Sequence, residues 1–415
     1  MTTLLKTVAR NSILREAWLN ISHRPDSRGF DNITIENFEI NLNQELHNIR
    51  GELLSEKYQF TPLKGVGIPK ENTDKIRPLK IPAIRDRVVQ KAIEIVISPY
   101  LKKIYKINNP ASFAYIKKRS VEDAVLRIKS LHQEGYRWIY KADIEKFFDT
   151  VDINILLGKF IYPCLPDKSL NVLIKRALTV ELGNGEILKE LGIYDEFPAS
   201  GSGIPQGGTL SPLFANVYLN SLDIKMIDGG YKLVRYADDF VVMCKSENEA
   251  KQADSLARSI IEEKLKLKIY PTKYIFSKTD EKSSYVIPFS TFEFLGIRFL
   301  GSRIYPGPKQ FMKMIEKLKN QSRNSPDLRL ISRLNYLKTR INSWGANYHY
   351  TDFDKALYNG LDSNLFECVN RIFFYCGYKY LSKMNSQENL NKIGLMTFTQ
   401  SLNHYKSVMP LRRKE

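Results

Sequence analysis

Two acidic residues, Asp238 and Asp239, stand side by side between apolar, β-prone runs: Leu233 to Tyr236 before them and Phe240 to Met243 after. Neighbouring carboxylates in a tight turn repel one another, and burying them without a cation is costly. Alone, such a pair is most often an exposed turn. The apolar flanks instead predict a buried hairpin that presents charge at a sheet edge. About 95 residues earlier a second β-rich run, Tyr136 to Tyr140, leads into Asp143. If both runs belong to one sheet, three carboxylates reach a common edge, where hard oxygen ligands suit two magnesium ions about 4 Å apart.

The segments around this pair set the domain organisation. Residues 1–57 alternate helical patterns with polar breaks and read as a helical extension. Residues 58–135 begin with short β-prone pieces around GVGIPK and IRPLKIP, a strand, turn, strand hairpin that presents Lys70, Lys75 and Arg77. VVQKAIEIVISPYL then reads as a buried helix, with Asp86 and Arg87 expected as scaffold residues that pair and position a helix rather than act in catalysis. Residues 136–300 hold both acidic strands, helices around 153–200, and GSGIPQGGTLSP, a glycine and proline loop leading into a helix. Past Gly301 the pattern becomes wholly helical: Phe311, Met314, Ile315 and Leu318 share one face, as do Leu330, Leu334, Leu337, Ile341 and Trp344.

Charge narrows the choice of partner. Lysine and arginine outnumber aspartate and glutamate by 63 to 45. Residues 301–415 carry 19 basic against 8 acidic side chains, so 11 of the 18 net charges sit there. A surplus concentrated in this way calls for a polyanion, nucleic acid first. Arg329, Arg333 and Arg340 are expected on one face of the second C-terminal helix, opposite its leucines, and Lys313 and Lys317 on the first, as a basic surface for nucleic acid. Cys164, Cys244, Cys368 and Cys376 lack zinc spacing and fit a reducing cytosol, and no run of about 18 apolar residues suggests a membrane span.

The ordered motifs ADIEKFFDTVD, GIPQGGTLSPLFANVYL, YADD, LKIYPTK and FEFLGIRF, preceded by IPKENTDKIRPLKIPAIRDRVVQ, resemble the reverse transcriptases, especially the bacterial branch related to group II introns. The likeness runs from about residue 25 to residue 300. It implies an α+β right-hand polymerase: fingers, a palm with an antiparallel sheet flanked by helices, and an α-helical thumb over 301–415. It further implies an RNA template, a DNA product, deoxynucleotide substrates and two Mg2+ ions, for which Mn2+ can substitute.

Roles carry over to the matching positions. Asp143 and Asp238 would bind both metals, and Asp239 would complete the set. Phe148 would sit beneath the sugar and collide with a ribose 2′-hydroxyl, while Phe147 beside it would point elsewhere, as alternate residues of a strand do. Gln206 would contact the incoming nucleotide in a loop whose glycines let backbone approach closely. Lys70 and Arg77 would hold the triphosphate. Lys273 matches the lysine that protonates the departing pyrophosphate, in a segment where lysines also serve as a solvated face.

Where intron-encoded relatives continue into a DNA-binding segment and a nuclease, no nuclease-like histidine or cysteine cluster follows here, and SFAYIKKRS replaces a more glycine-rich motif. The resulting expectation is a stand-alone cytoplasmic bacterial enzyme of antiphage defence, working with a dedicated non-coding RNA. The alternatives are a reduced intron reverse transcriptase and maturase, or an RNA-binding scaffold that no longer polymerises.

Overall fold

Runs of buried residues build the central sheet. In β3 (Trp138–Ala142), Ile139, Tyr140 and Ala142 are buried and Lys141 is half-buried. It lies between β5 (Asp239–Cys244) and β7 (Ser284–Pro288), with β4 (Lys232–Tyr236) and β6 (Thr272–Lys273) at the two edges. All pairs are antiparallel except β6 with β7, which is parallel. The sheet is therefore mixed at one edge, where a fully antiparallel one was expected. The computed structural model describes residues 2–23, 28–69, 76–273, 283–323, 329–378 and 385–412.

This sheet belongs to the first of two units, residues 1–124 with 136–288. The helix Ser211–Asp228 packs against β4, its Phe214, Tyr218 and Leu222 fully buried, with Phe214 and Leu222 each contributing roughly 1.5–3 kcal/mol by burial. The helix Glu247–Arg258 also packs on the sheet. Ser246 starts this helix by accepting from Glu249 N at 3.2 Å, while Glu249 turns back to accept from Lys245 N at 2.7 Å, close to a capping box. The expected N-terminal helices are Leu4–Val8, Asn11–Ile21, Ile35–Ile40 and Leu42–Leu54.

The expected hairpin forms as β1 (Lys64–Pro69) and β2 (Ile76–Ile81), antiparallel with Lys64 opposite Ile81 and Pro69 opposite Ile76. Its tip, with Lys70 and Lys75, lies outside the described residues. Asn184 joins β1 from the 153–200 region, accepting from Gly65 N at 2.7 Å and donating to Gly65 O at 2.9 Å. The buried helix is Ile84–Ile104. Asp86 accepts from Tyr58 Oη at 2.7 Å and Thr61 N at 2.9 Å, and Arg87 Nε donates to Pro82 O at 2.9 Å. Both residues thus fasten the helix to the chain before it.

The second unit comprises residues 125–135 and 289–415. It is not wholly helical past Gly301. β8 (Thr291–Phe294), β9 (Ile297–Leu300) and β10 (Arg303–Pro306) form an antiparallel sheet of their own, and the first helix begins only at Pro308. Ile304 and the aromatic stack of Phe292 on Phe299 give this small sheet a buried face, a period-2 signal too short to stand out beside the helices. The helices Pro308–Gln321 and Leu330–Tyr348 bury Phe311, Met314, Leu318, Leu337, Ile341 and Trp344, and partly bury Ile315, Leu330 and Leu334, on the predicted faces.

The arginines are less uniform than expected. Arg333 is only 2% exposed, and its Nη1 donates to Gln321 O at 3.3 Å and Arg323 O at 3.1 Å. It holds carbonyls at the end of the preceding helix and is not part of a basic surface. Arg329 is exposed but precedes the helix as its N-cap. The half-buried Arg340 lies with its guanidinium 4.8 Å from the Tyr336 ring centre. Lys317 is exposed and Lys313 half-buried. No described helix is long and apolar enough to cross a membrane.

Candidate active site

The β3–β5 register decides where the carboxylates go. Ala142 pairs with Phe240, so one further step sets Asp143 at the level of Asp239, where β3 ends and β5 begins. Asp143 is braced from its other side as well: its carbonyl accepts from Tyr270 N at 3.1 Å, and Glu145 N donates to Lys268 O at 2.8 Å. Asp238 lies in the tight turn from β4 to β5, which Ala237 makes possible by adopting φ +59°.

Electrostatics shows that these charges act on one another. The Asp238 carboxyl is raised from 3.8 to about 6, first by burial, next by the Asp239 charge, then also by Asp143, with Arg77 opposing. Asp239 is exposed at the sheet edge, yet lost hydration raises it too, against the pull of Lys141 and Arg77. Among the described residues no three His, Cys, Asp or Glu are already gathered at metal-holding spacing. The donor set nevertheless fits divalent magnesium: carboxylate oxygens only, with a mutual repulsion that a cation relieves.

Phe148 does not continue a strand. Lys146 turns the chain with φ +42°, and Phe147–Thr150 form one helical turn. Phe147 is buried and Phe148 half-buried, their rings edge to face at 5.2 Å, so the two still part company, by helical rather than strand geometry. The expected glycine loop packs on this turn. Ile204 N donates to Phe148 O at 2.7 Å, and a Cβ on Gly203, at φ +70°, would strike that carbonyl. Gln206 is drawn to the same place: its Nε2 lies 3.4 Å from Asp149 Oδ1, and its carbonyl accepts from Lys80 N at 2.8 Å. Gly207, at φ +108°, leaves room for the Lys80 carbonyl, which a Cβ would meet at 2.9 Å.

Arg77 is exposed on β2 and acts on Asp238 and Asp239. Phe148, Gln206 and Asp149 thus form one group; Arg77 acts on Asp238 and Asp239, and Asp143 acts on Asp238. Lys273 is exposed at the end of β6, opposite Tyr285 of β7. Lys70 lies outside the described residues. Lys313, Lys317, Arg329, Arg333 and Arg340 belong to the second unit.

Four residues escaped the sequence reading. Lys80 is 6% exposed, its ammonium pulled down by burial and pushed back by Asp149, and Nζ donates to Pro198 O at 2.8 Å. Asp149 receives Gln206. Lys141 stands two residues before Asp143, its ammonium 5.5 Å from the Tyr285 ring centre. Half-exposed Tyr115, at φ +60°, has its phenol raised by burial and then by the Asp238 charge. Strand alternation with Asp143 was a usable signal for Lys141. Nothing local marked Tyr115.

Comparison with known proteins places the chain in a family. The profile of the reverse transcriptase (RNA-dependent DNA polymerase) family matches residues 68–301. Protein YkfC of Escherichia coli (strain K12) is 28% identical over 339 residues, 72% of this chain and 82% of YkfC. The group II intron-encoded protein LtrA of Lactococcus lactis subsp. cremoris is 27% identical over 299 residues, covering 69% of this chain and 47% of LtrA, so the chain spans about half that relative's length. Among solved structures, a chain of a partial Cas6-RT-Cas1–Cas2 complex shares 29% identity over 64% of this chain and 42% of its own length, with a TM-score of 0.38.

Proposed function

The chain belongs to the reverse transcriptase family, the RNA-directed DNA polymerases, and from that premise we propose that it extends a primer on RNA with Asp143, Asp238 and Asp239 as ligands of two magnesium ions. The observation that carries this reading is the register of β3 against β5 together with the raised Asp238 carboxyl: carboxylates distant in the chain act on one another at one sheet edge. When bound, the ions would lower the pKa of the attacking 3′-hydroxyl and offset charge on the departing pyrophosphate.

The remaining work falls to side chains. Arg77 receives the triphosphate, gripping paired oxygens as a guanidinium does, and Lys70 adds a second cation. Gln206, tethered through its carbonyl to β2 and through its amide to Asp149, contacts the incoming nucleotide. Phe148 lies on the turn that carries Asp149 and fills the space a 2′-hydroxyl needs, which selects deoxynucleotides. Lys273 supplies the proton that pyrophosphate takes as it leaves. Lys313, Lys317, Arg329 and Arg340 lie along the nucleic-acid backbone, while Arg333 stays within the fold.

Two sources compete for the RNA copied in a bacterial cytoplasm. A dedicated non-coding RNA of an antiphage system is the one we propose; intron RNA is the other, since LtrA is a group II intron-encoded protein. Purifying the chain from its host and sequencing the accompanying RNA and DNA separates them. The reading expects DNA complementary to one discrete non-coding RNA, absent when Asp238 and Asp239 are both changed to alanine. Copies of an intron RNA would replace the proposed template, and DNA made equally by the double variant would remove the catalytic assignment.

A further inference from the structure

Behind the catalytic turn lies an ion pair that the chemistry above does not use. Arg235 of β4 and Asp223 of the helix Ser211–Asp228 have side chains 1% and 0% exposed. Asp223 Oδ1 accepts from Arg235 Nε at 2.6 Å, and Oδ2 accepts from Nη2 at 2.6 Å. The guanidinium has three further hydrogens. Nη1 donates to Ala237 O at 2.8 Å and to Asn216 Oδ1 at 3.1 Å, and Nη2 donates to Ser112 Oγ at 2.9 Å. Five donors therefore meet five acceptors within the protein itself.

A buried ion pair is a poor device for stability alone, because desolvation offsets its attraction and apolar side chains of similar volume often serve as well. What it supplies is direction. Ala237 O belongs to the peptide that leads into Asp238, and Ala237 holds the left-handed conformation on which the turn depends. Without a glycine there, that conformation needs an external hold.

The same pair grips a second segment. Asn109 Nδ2 donates to Asp223 Oδ2 at 2.9 Å, and Asn109 Oδ1 accepts from Ala111 N and Ser112 N at 2.9 and 3.1 Å. Backbone bonds run from Arg235 N to Ala111 O at 2.7 Å and from Phe113 N to Arg235 O at 2.9 Å. Asn216 Nδ2 donates to Ala114 O at 2.9 Å. The next residue is Tyr115, itself in the left-handed conformation at φ +60°.

We infer that Arg235 is a positioning residue for nucleotidyl transfer: oriented by Asp223, it locks the Ala237 carbonyl and the 109–114 loop together, so that Asp238, Asp239 and Tyr115 keep one geometry. This rests on the carboxylates being the catalytic set. Arg235→Lys keeps the charge beside Asp223 but lacks the planar fork that reaches Asp223, Asn216, Ser112 and Ala237 at once.

The test is steady-state primer extension by the full chain on an RNA template, with dNTP and Mg2+ titrated separately. Arg235→Lys is expected to lower kcat ~10- to 100-fold, the scale of a small misplacement of reacting groups. It should leave the dNTP KM within about twofold and raise the half-saturating Mg2+ concentration. Adding Ala237→Gly, which adopts the turn conformation unaided, is expected to restore part of the lost kcat. Unchanged kcat and Mg2+ dependence in folded Arg235→Lys overturns the inference, and so does a loss that Ala237→Gly leaves untouched. Should Arg235→Lys not fold, Ser112→Ala with Asn216→Ala strips two partners while sparing the ion pair and is read by the same kcat and Mg2+ criteria. Asp238→Ala runs in parallel: activity surviving there refutes the catalytic reading, whereas an inactive Asp238→Ala beside a fully active Arg235→Lys refutes only the positioning role.

Discussion

Replacing Asp238 by asparagine should stabilise the metal-free protein at neutral and alkaline pH, at the expense of activity. The Asp238 carboxyl lies at about 6 in the folded chain against an ordinary 3.8. Each unit of difference corresponds to about 1.36 kcal/mol, so ionising Asp238 in the fold costs at most about 3 kcal/mol. Water reaching this half-buried group screens the interaction, and about 1–2 kcal/mol is the working figure. The sign follows from proton binding. A raised folded value means that the folded state keeps its proton longer than the unfolded chain, so stability is whole below about pH 4 and declines as pH rises through about 6. The amide of the asparagine variant carries no charge and escapes that decline. Thermal unfolding followed in chelator at pH 5 and pH 8 checks this: the variant's midpoint should exceed that of the natural chain by roughly 2–8 °C at pH 8, from about 2–4 °C per kcal/mol. The gap should narrow at pH 5, and added Mg2+ should raise the midpoint of the natural chain more than that of the variant. A gap independent of pH, or a variant less stable at pH 8, refutes the claim that the fold, by burying Asp238 beside Asp239 and Asp143, makes its ionisation costly.

Phe148→Ala should admit ribonucleotides ~10- to 200-fold more readily relative to deoxynucleotides, the range a single steric contact supports; unchanged discrimination in single-nucleotide extension removes the gate role. Lys317→Glu with Arg329→Glu should weaken template binding and flatten its dependence on salt, by about one unit of slope for each phosphate no longer neutralised. Arg333→Ala, by contrast, should lower the unfolding midpoint and leave the salt slope alone, because the buried guanidinium serves Gln321 and Arg323 carbonyls. A changed slope in Arg333→Ala would return that residue to the nucleic-acid surface.

Strong local periodicity made much of this architecture legible. The hairpin around Asp238 and the strand before Asp143 were readable as short β-prone apolar runs leading into acidic residues, and the helical faces of Leu337, Ile341 and Trp344 because their apolar residues recur at the helical period. The turn at Phe147 and Phe148 was not, since two adjacent aromatics satisfy either a strand or one helical turn, and the left-handed Lys146 that decides between them has no marked propensity for that role. Arg333 misled for a related reason. A helical wheel places it by angle alone, whereas its burial depends on carbonyls left open by the preceding helix. Lys80 and the Arg235–Asp223 pair were hidden because burial of a charge depends on partners distant in sequence. The pull of Asp149 on Lys80 and the hydrogen bond from Arg235 to Ser112 are interactions no local pattern encodes.

The most direct measurement is single-turnover extension of a DNA primer on an RNA template by the purified chain, comparing it with Asp143→Asn and Asp238→Asn variants whose folding is checked beforehand. The account predicts Mg2+-dependent synthesis by the natural chain and a loss of several orders of magnitude in each variant, since each removes a ligand of the same site. Synthesis at an undiminished rate by folded Asp143→Asn would contradict it, because the carboxylate at the end of β3 would then stand apart from those at the β4–β5 turn.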